Sequence, residues 1–84
     1  MKTHPDHVTA LERGLDVLRV MSNTGVPLTI TTIASVTGLP RATVRRSLMT
    51  LERTGYARKG GALYWLTEKV QTFRATPMPS ERAA

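Results

Sequence analysis

The stretch Gly38-Leu39-Pro40-Arg41-Ala42-Thr43-Val44-Arg45-Arg46-Ser47-Leu48-Met49-Thr50-Leu51-Glu52-Arg53-Thr54-Gly55 decides the reading of this chain. Its apolar residues Val44, Leu48 and Leu51 recur at i, i+4 and i+7, the spacing of one helix face. Pro40 can open such a helix, because its missing N–H would have no partner there anyway. Gly55 suits the position just past the end. The spacing therefore predicts a helix over residues 40–54. Opposite the apolar stripe lie Ala42, Arg46, Met49 and Arg53, with Arg41 and Arg45 flanking on one side and Thr43 and Thr50 on the other. Such a helix sits on a core by one face and offers cations from the other.

Upstream, Thr37-Gly38-Leu39-Pro40 reads as a turn, and Gly38 can supply a positive φ. Before it, Thr29 is placed to cap a short helix with Ile30, Ile33, Ala34 and Val36 facing inward. Earlier still, Leu11, Leu15, Leu18 and Met21 repeat at helical spacing, which predicts a first helix over residues 10–23 ended by Gly25 and Pro27. Thr9-Ala10-Leu11-Glu12 fits a capping box, with Thr9 as N-cap and Glu12 reaching back. Downstream of Gly55 the period changes to that of strands. Residues 56–59 and 63–66 read as a hairpin around Gly60-Gly61, followed by a short helical turn over residues 68–73.

The order helix, helix, turn, helix, hairpin is that of a winged helix-turn-helix: mainly α, a three-helix core with a two-stranded wing. Residues 1–8 are expected to be frayed, residues 9–73 to form the domain, and the proline-containing residues 74–84 to be a disordered tail or the start of a missing linker.

Composition supports one small domain. The chain has 84 residues, 40% of them hydrophobic, and no cysteine, so disulfides, thiolate catalysis and Cys-based zinc sites are excluded. No apolar run is long enough to span a membrane, and residues 1–6 lack the apolar stretch of a signal peptide. An intracellular, cytoplasmic and nucleoid-associated protein is expected. His4 and His7 have neither cysteine nor a carboxylate cluster beside them, so no metal site is expected. No nucleophile, base and orienter can be assembled, and no phosphate-binding glycine loop is present; neither an enzyme nor a cofactor is expected.

Charge points to the partner. Lys and Arg number 12 against 6 Asp and Glu. Residues 39–60 carry Arg41, Arg45, Arg46, Arg53, Arg58 and Lys59 against Glu52 alone. A basic stripe on an otherwise balanced domain is the footprint of a polyanion. The candidate DNA contacts are Arg41, Ala42, Thr43, Arg45, Arg46 and Arg53 on the helix, Arg58, Lys59 and Gly60 on the wing, and Thr29 at the start of the second helix. Arg46, central on the outward face, can fork onto guanine O6 and N7. Arg41 and Thr43 lie in the first turn, where recognition helices reach base edges. Ala42 allows close approach. Arg45 and Arg53 suit phosphates, and the wing cations suit the backbone or minor groove.

The alternative from another class is a protein-interaction module, with Leu63 and Trp65 as an exposed apolar face of the hairpin. RNA binding is disfavoured by the scarcity of stacking aromatics.

Leu11-Glu12-Arg13-Gly14-Leu15-Asp16-Val17-Leu18 resembles the opening helix of IclR-type regulators. So do Gly38-Leu39-Pro40-Arg41-Ala42-Thr43-Val44-Arg45-Arg46, Leu51-Glu52 and Gly55-Tyr56, and Gly60-Gly61 with Tyr64-Trp65-Leu66 resembles that family's wing. The resemblance implies a transcription regulator whose domain of this type binds operator DNA as a homodimer or higher assembly. It also implies a small-molecule effector sensed only by a separate C-terminal domain, which this chain does not contain. Arg41 to Arg46 looks like the branch that regulates aromatic-acid degradation. Family members often carry Ser at position 42, His or Tyr at 45 and Glu at 32, where this chain has Ala42, Arg45 and Thr32. Trp65 stands where a polar residue is usual.

Overall fold

The computed structural model describes residues 5–75. Helix α1 (Thr9–Thr24) is followed by strand β1 (Leu28–Thr29), helix α2 (Ile30–Thr37) and helix α3 (Arg41–Arg53). Strands β2 (Ala57–Gly60) and β3 (Leu63–Leu66) form the wing, and a 3-10 turn (Glu68–Gln71) leads into helix α4 (Thr72–Ala75). The strands form one antiparallel sheet in the order β1-β3-β2.

The core lies where the three helices meet the inner face of the sheet. Val17 and Met21 from α1, Ile33 and Ala34 from α2, Val44 and Leu48 from α3, Ala57 from β2 and Tyr64 from β3 are buried together. Leu28, Ile30, Leu39, Leu51 and Leu66 close its edges. The α3 stripe expected from the sequence faces this core, with Val44 and Leu48 fully buried. The turn between α2 and α3 depends on Gly38, whose φ of 77° is a conformation that residues with a Cβ rarely adopt.

Several local expectations are corrected. Thr9 does not cap α1: the N-cap is Val8, whose carbonyl accepts from Glu12 N–H at 3.1 Å. The Glu12 carboxylate pairs instead with His7 Nε2 at 2.9 Å, so no capping box forms. Leu11 and Leu15 are 60% and 47% exposed. The inward side of α1 centres on Val17 and Met21, about 100° round the helix from the leucine stripe, with Leu18 shared between the two. On α2, Val36 is exposed. It stands six positions after Ile30, roughly 240° away, and the inward seat goes to Thr37, whose hydroxyl donates to Ile33 O at 2.8 Å.

Pro40 is the N-cap of α3 rather than its first helical residue, and its carbonyl accepts from Thr43 and Val44 N–H. The far end of α3 closes as expected around Gly55: Tyr56 N–H donates to Leu51 O at 2.8 Å and Gly55 N–H to Glu52 O at 3.0 Å. In the wing, Gly60 pairs with Leu63, so the turn is Gly61-Ala62 and not Gly60-Gly61, and Tyr56 lies outside the strand. The sheet has a third strand: Leu28 pairs with Tyr64 and Thr29 with Leu63. Thr29 serves strand and cap at once, because an N-cap residue is itself extended (φ −89°, ψ 161°). The tail over residues 76–84 and the start of the chain, including His4, lie outside the described residues.

Candidate nucleic-acid interface

Because Val44 and Leu48 fix the rotation of α3, its remaining positions have determined directions. Arg41, Ala42, Arg45, Arg46, Met49 and Arg53 are all exposed. No carboxylate among the described residues pairs with any of these arginines, or with Arg58. Their charge is therefore available to an outside anion. Arg46 also borders the groove between α1 and α3, where Arg13 of α1 joins it. Arg13 adds a cation to this surface that the pattern of α3 alone did not reveal.

Thr43 differs from these exposed residues in its surroundings. It is only 9% exposed, on the side of α3 that lines the α1 groove. It lies about 100° from Val44, and α1 covers that flank. Its side chain lines the groove between α3 and the first helix. Thr29 is likewise occupied within the fold. Its hydroxyl oxygen accepts from Thr32 N–H and donates to Thr32 Oγ1, both at 3.1 Å. These two threonines replace the reciprocal cap that Glu at position 32 would make. What α2 offers outward at its start is backbone N–H and the positive end of the helix dipole.

The wing presents Arg58 and Lys59 on opposite faces of the hairpin. Arg58 stands opposite Trp65, and Lys59 opposite Tyr64. Lys59 Nζ lies 5.8 Å from the Tyr64 ring centroid, within cation–π range. Trp65 and Leu63 share the outer face with Arg58 and are partly exposed, as the alternation of the strand requires. Gly60 sits beneath the Trp65 ring: a Cβ there would be 2.9 Å from one indole carbon and 3.1 Å from the next.

A further set of contacts has no local sequence signal, because its members are 11 to 17 positions apart. Lys69 Nζ donates to Thr54 O at 2.7 Å and lies 4.7 Å from the centroid of the Tyr56 ring. The Thr67 hydroxyl donates to Gly55 O at 2.6 Å, and Thr67 N–H to Tyr56 O at 2.9 Å. Phe73 stacks on Tyr56 with centroids 5.3 Å apart. The segment after the wing is thus strapped across the C-terminal end of α3, where a cation also complements the helix dipole.

The arrangement is an exposed cationic helix followed by a hairpin that carries two further cations. Among the described residues no group of His, Asp or Glu could hold a metal ion. The IclR helix-turn-helix domain family matches residues 10–61. The Pca regulon regulatory protein of Pseudomonas putida is 46% identical over 68 residues, covering 81% of this chain and 23% of that protein. The p-hydroxybenzoate hydroxylase transcriptional activator of Acinetobacter baylyi is 32% identical over 75 residues, covering 89% of this chain and 28% of that protein. Among solved structures, an IclR family transcriptional regulator from Brucella abortus superimposes with a TM-score of 0.76 at 42% identity, covering 82% of this chain and 27% of that one. The chain spans about a quarter of the length of these relatives, which are regulators and not enzymes. The match covers the three helices and the first strand of the wing, so this chain belongs to the IclR family and carries its sequence-specific DNA-binding helix-turn-helix domain.

Proposed function

We propose that α3 lies in the major groove of operator DNA with Arg46 on base edges, Arg41 and Ala42 at the entering first turn, and Arg45 and Arg53 on phosphates. The supporting observation is that these residues share the exposed side of a helix whose other side is locked into the core, with no carboxylate among the described residues paired to the arginines. Thr43 seats α3 against α1 and so sets the depth of the first turn. Backbone N–H groups after Thr29 face a phosphate at the start of α2. Arg58, Lys59 and Gly60 lie along the adjacent backbone or minor groove.

The whole regulator would act in the cytoplasm on the nucleoid, as a homodimer or higher assembly with half-sites about 34 Å apart. Its small-molecule effector would be sensed by a further domain. One relative is a transcriptional activator named for p-hydroxybenzoate hydroxylase, which favours genes of aromatic-acid breakdown as the regulated set. This domain alone would show no effector response, since allostery requires two sites and two states.

The test is fluorescence anisotropy on operator and random duplexes across a salt series. About four or five neutralised phosphates per protomer give a slope on the order of −4 in log K against log salt. A flat response on both duplexes would overturn the proposal.

A further inference from the structure

We propose that Trp65 is a positioning residue for DNA binding: its indole ring holds the wing through Gly60, so that Arg58 meets the duplex in one orientation. The inference rests on the wing contacting DNA as set out above. A Cβ at Gly60 would meet the ring at 2.9 and 3.1 Å, closer than carbon atoms normally come. Gly60 is not one of the positive-φ glycines, so its backbone does not demand glycine. The ring does.

The register explains how the two residues meet. Gly60 pairs with Leu63 and Arg58 with Trp65, so Gly60 and Trp65 are diagonal neighbours on one face, within reach of a large side chain. A glycine at the end of a strand leaves the backbone loose and unshielded. An aromatic ring folded over it restores the missing packing. Trp65 also stands directly across from Arg58, so the residue that braces the turn sets the face from which that cation projects.

Core building does not account for the ring. The inner face of β3 is served by Tyr64, which is buried, whereas Trp65 is 36% exposed. On that inner face Lys59 is already held by Tyr64. Without Trp65 the outer face, which carries Arg58, would have no comparable brace.

The experiment measures affinity for a random duplex at fixed salt for Trp65→Leu, Gly60→Ala, Arg58→Ala and two double variants, with emission of the chain's single tryptophan recorded in parallel. Trp65→Leu should weaken binding on the order of tenfold, the weight of one charge-assisted hydrogen bond, while helical circular dichroism is retained. It should add nothing further once Arg58 is alanine. Gly60→Ala should shift the tryptophan emission and weaken binding together. Gly60→Ala with Trp65→Leu should bind no worse than Trp65→Leu alone, because the alanine fits once the ring is gone. If Arg58→Ala has no effect, Arg58 does not contact DNA, and both that part of the functional reading and the positioning role fail. If Arg58→Ala weakens binding but Trp65→Leu does not, or if their effects simply add, the positioning role is overturned. Should the leucine variant fold poorly, Gly60→Ala decides: an emission shift with unchanged affinity also overturns it.

Discussion

The recognition helix and the wing carry the same kind of charge on opposite kinds of support. Helix α3 is anchored by fully buried Val44 and Leu48 and is closed at its C-terminal end by Gly55 and Lys69. The wing buries only Ala57 and Tyr64 and keeps its shape through ring contacts at Lys59 and Gly60. These unlike supports suit unlike tasks. Discriminating bases needs side chains held to a fraction of an ångström, which burial supplies. Following a phosphate backbone needs only that the hairpin be held in one orientation, which ring contacts at its surface supply.

Removing the anchor of α3 has the largest expected effect. Leu48→Ala should cost about 2–5 kcal/mol of stability through the cavity it leaves. In a domain this small that is a large share of the total, so thermal melting should show a much lower or absent transition. An unchanged melting temperature would mean that α3 is not held by the core.

The next effect separates reading from gripping. Arg46→Ala should cost roughly 1–3 kcal/mol on the operator and relax preference at one or two base pairs. Arg58→Ala with Lys59→Ala should weaken operator and random DNA by similar factors and reduce the salt slope by about one for each phosphate no longer neutralised. A table of both variants against both duplexes checks this. Equal weakening of the two DNAs by Arg46→Ala would make Arg46 a backbone clamp and move specificity to Arg41 or DNA shape.

Two smaller effects test the ends of the helices. Lys69→Met keeps the aliphatic stem and removes the donor to Thr54 O. The residue is exposed, so a drop of only about 0.5–1 kcal/mol is expected in chemical denaturation. Thr29→Ala removes the cap of α2 and should cost about 1 kcal/mol. Fraying at the start of α2 should appear as faster amide exchange at Thr32, whose N–H the Thr29 hydroxyl accepts.

The sequence disclosed the recognition helix because its stripe and cations sit on one short segment with a single period. Gly38 and Gly55 were legible for the same reason: each marks a local backbone event. The face of α1 was misassigned because leucines at positions 11 and 15 outshone a valine at 17, and only the packed partners decide which stripe is inward. Strand β1 is two residues long, too short for any period to register. The burial of Thr43 on the flank of α3 was not legible, because the stripe gives directions for α3 alone and says nothing of what α1 covers. The Lys69 strap and the Trp65 ring over Gly60 depend on chain segments meeting in space, and no spacing rule reports them.

The pairing of Leu28 with Tyr64 carries a consequence for how the molecule is made. It joins the segment between the first two helices to the last strand, so it cannot form until most of the chain has been synthesised. Pairings this distant along the sequence are slow to close, because the intervening chain must be ordered first. The helices can assemble early as the chain emerges from the ribosome, while the sheet waits for Leu66. A product halted at Gly60 would contain all of Arg41–Arg53 yet lack Tyr64 and every strand pairing, leaving a cationic helix beside an open core.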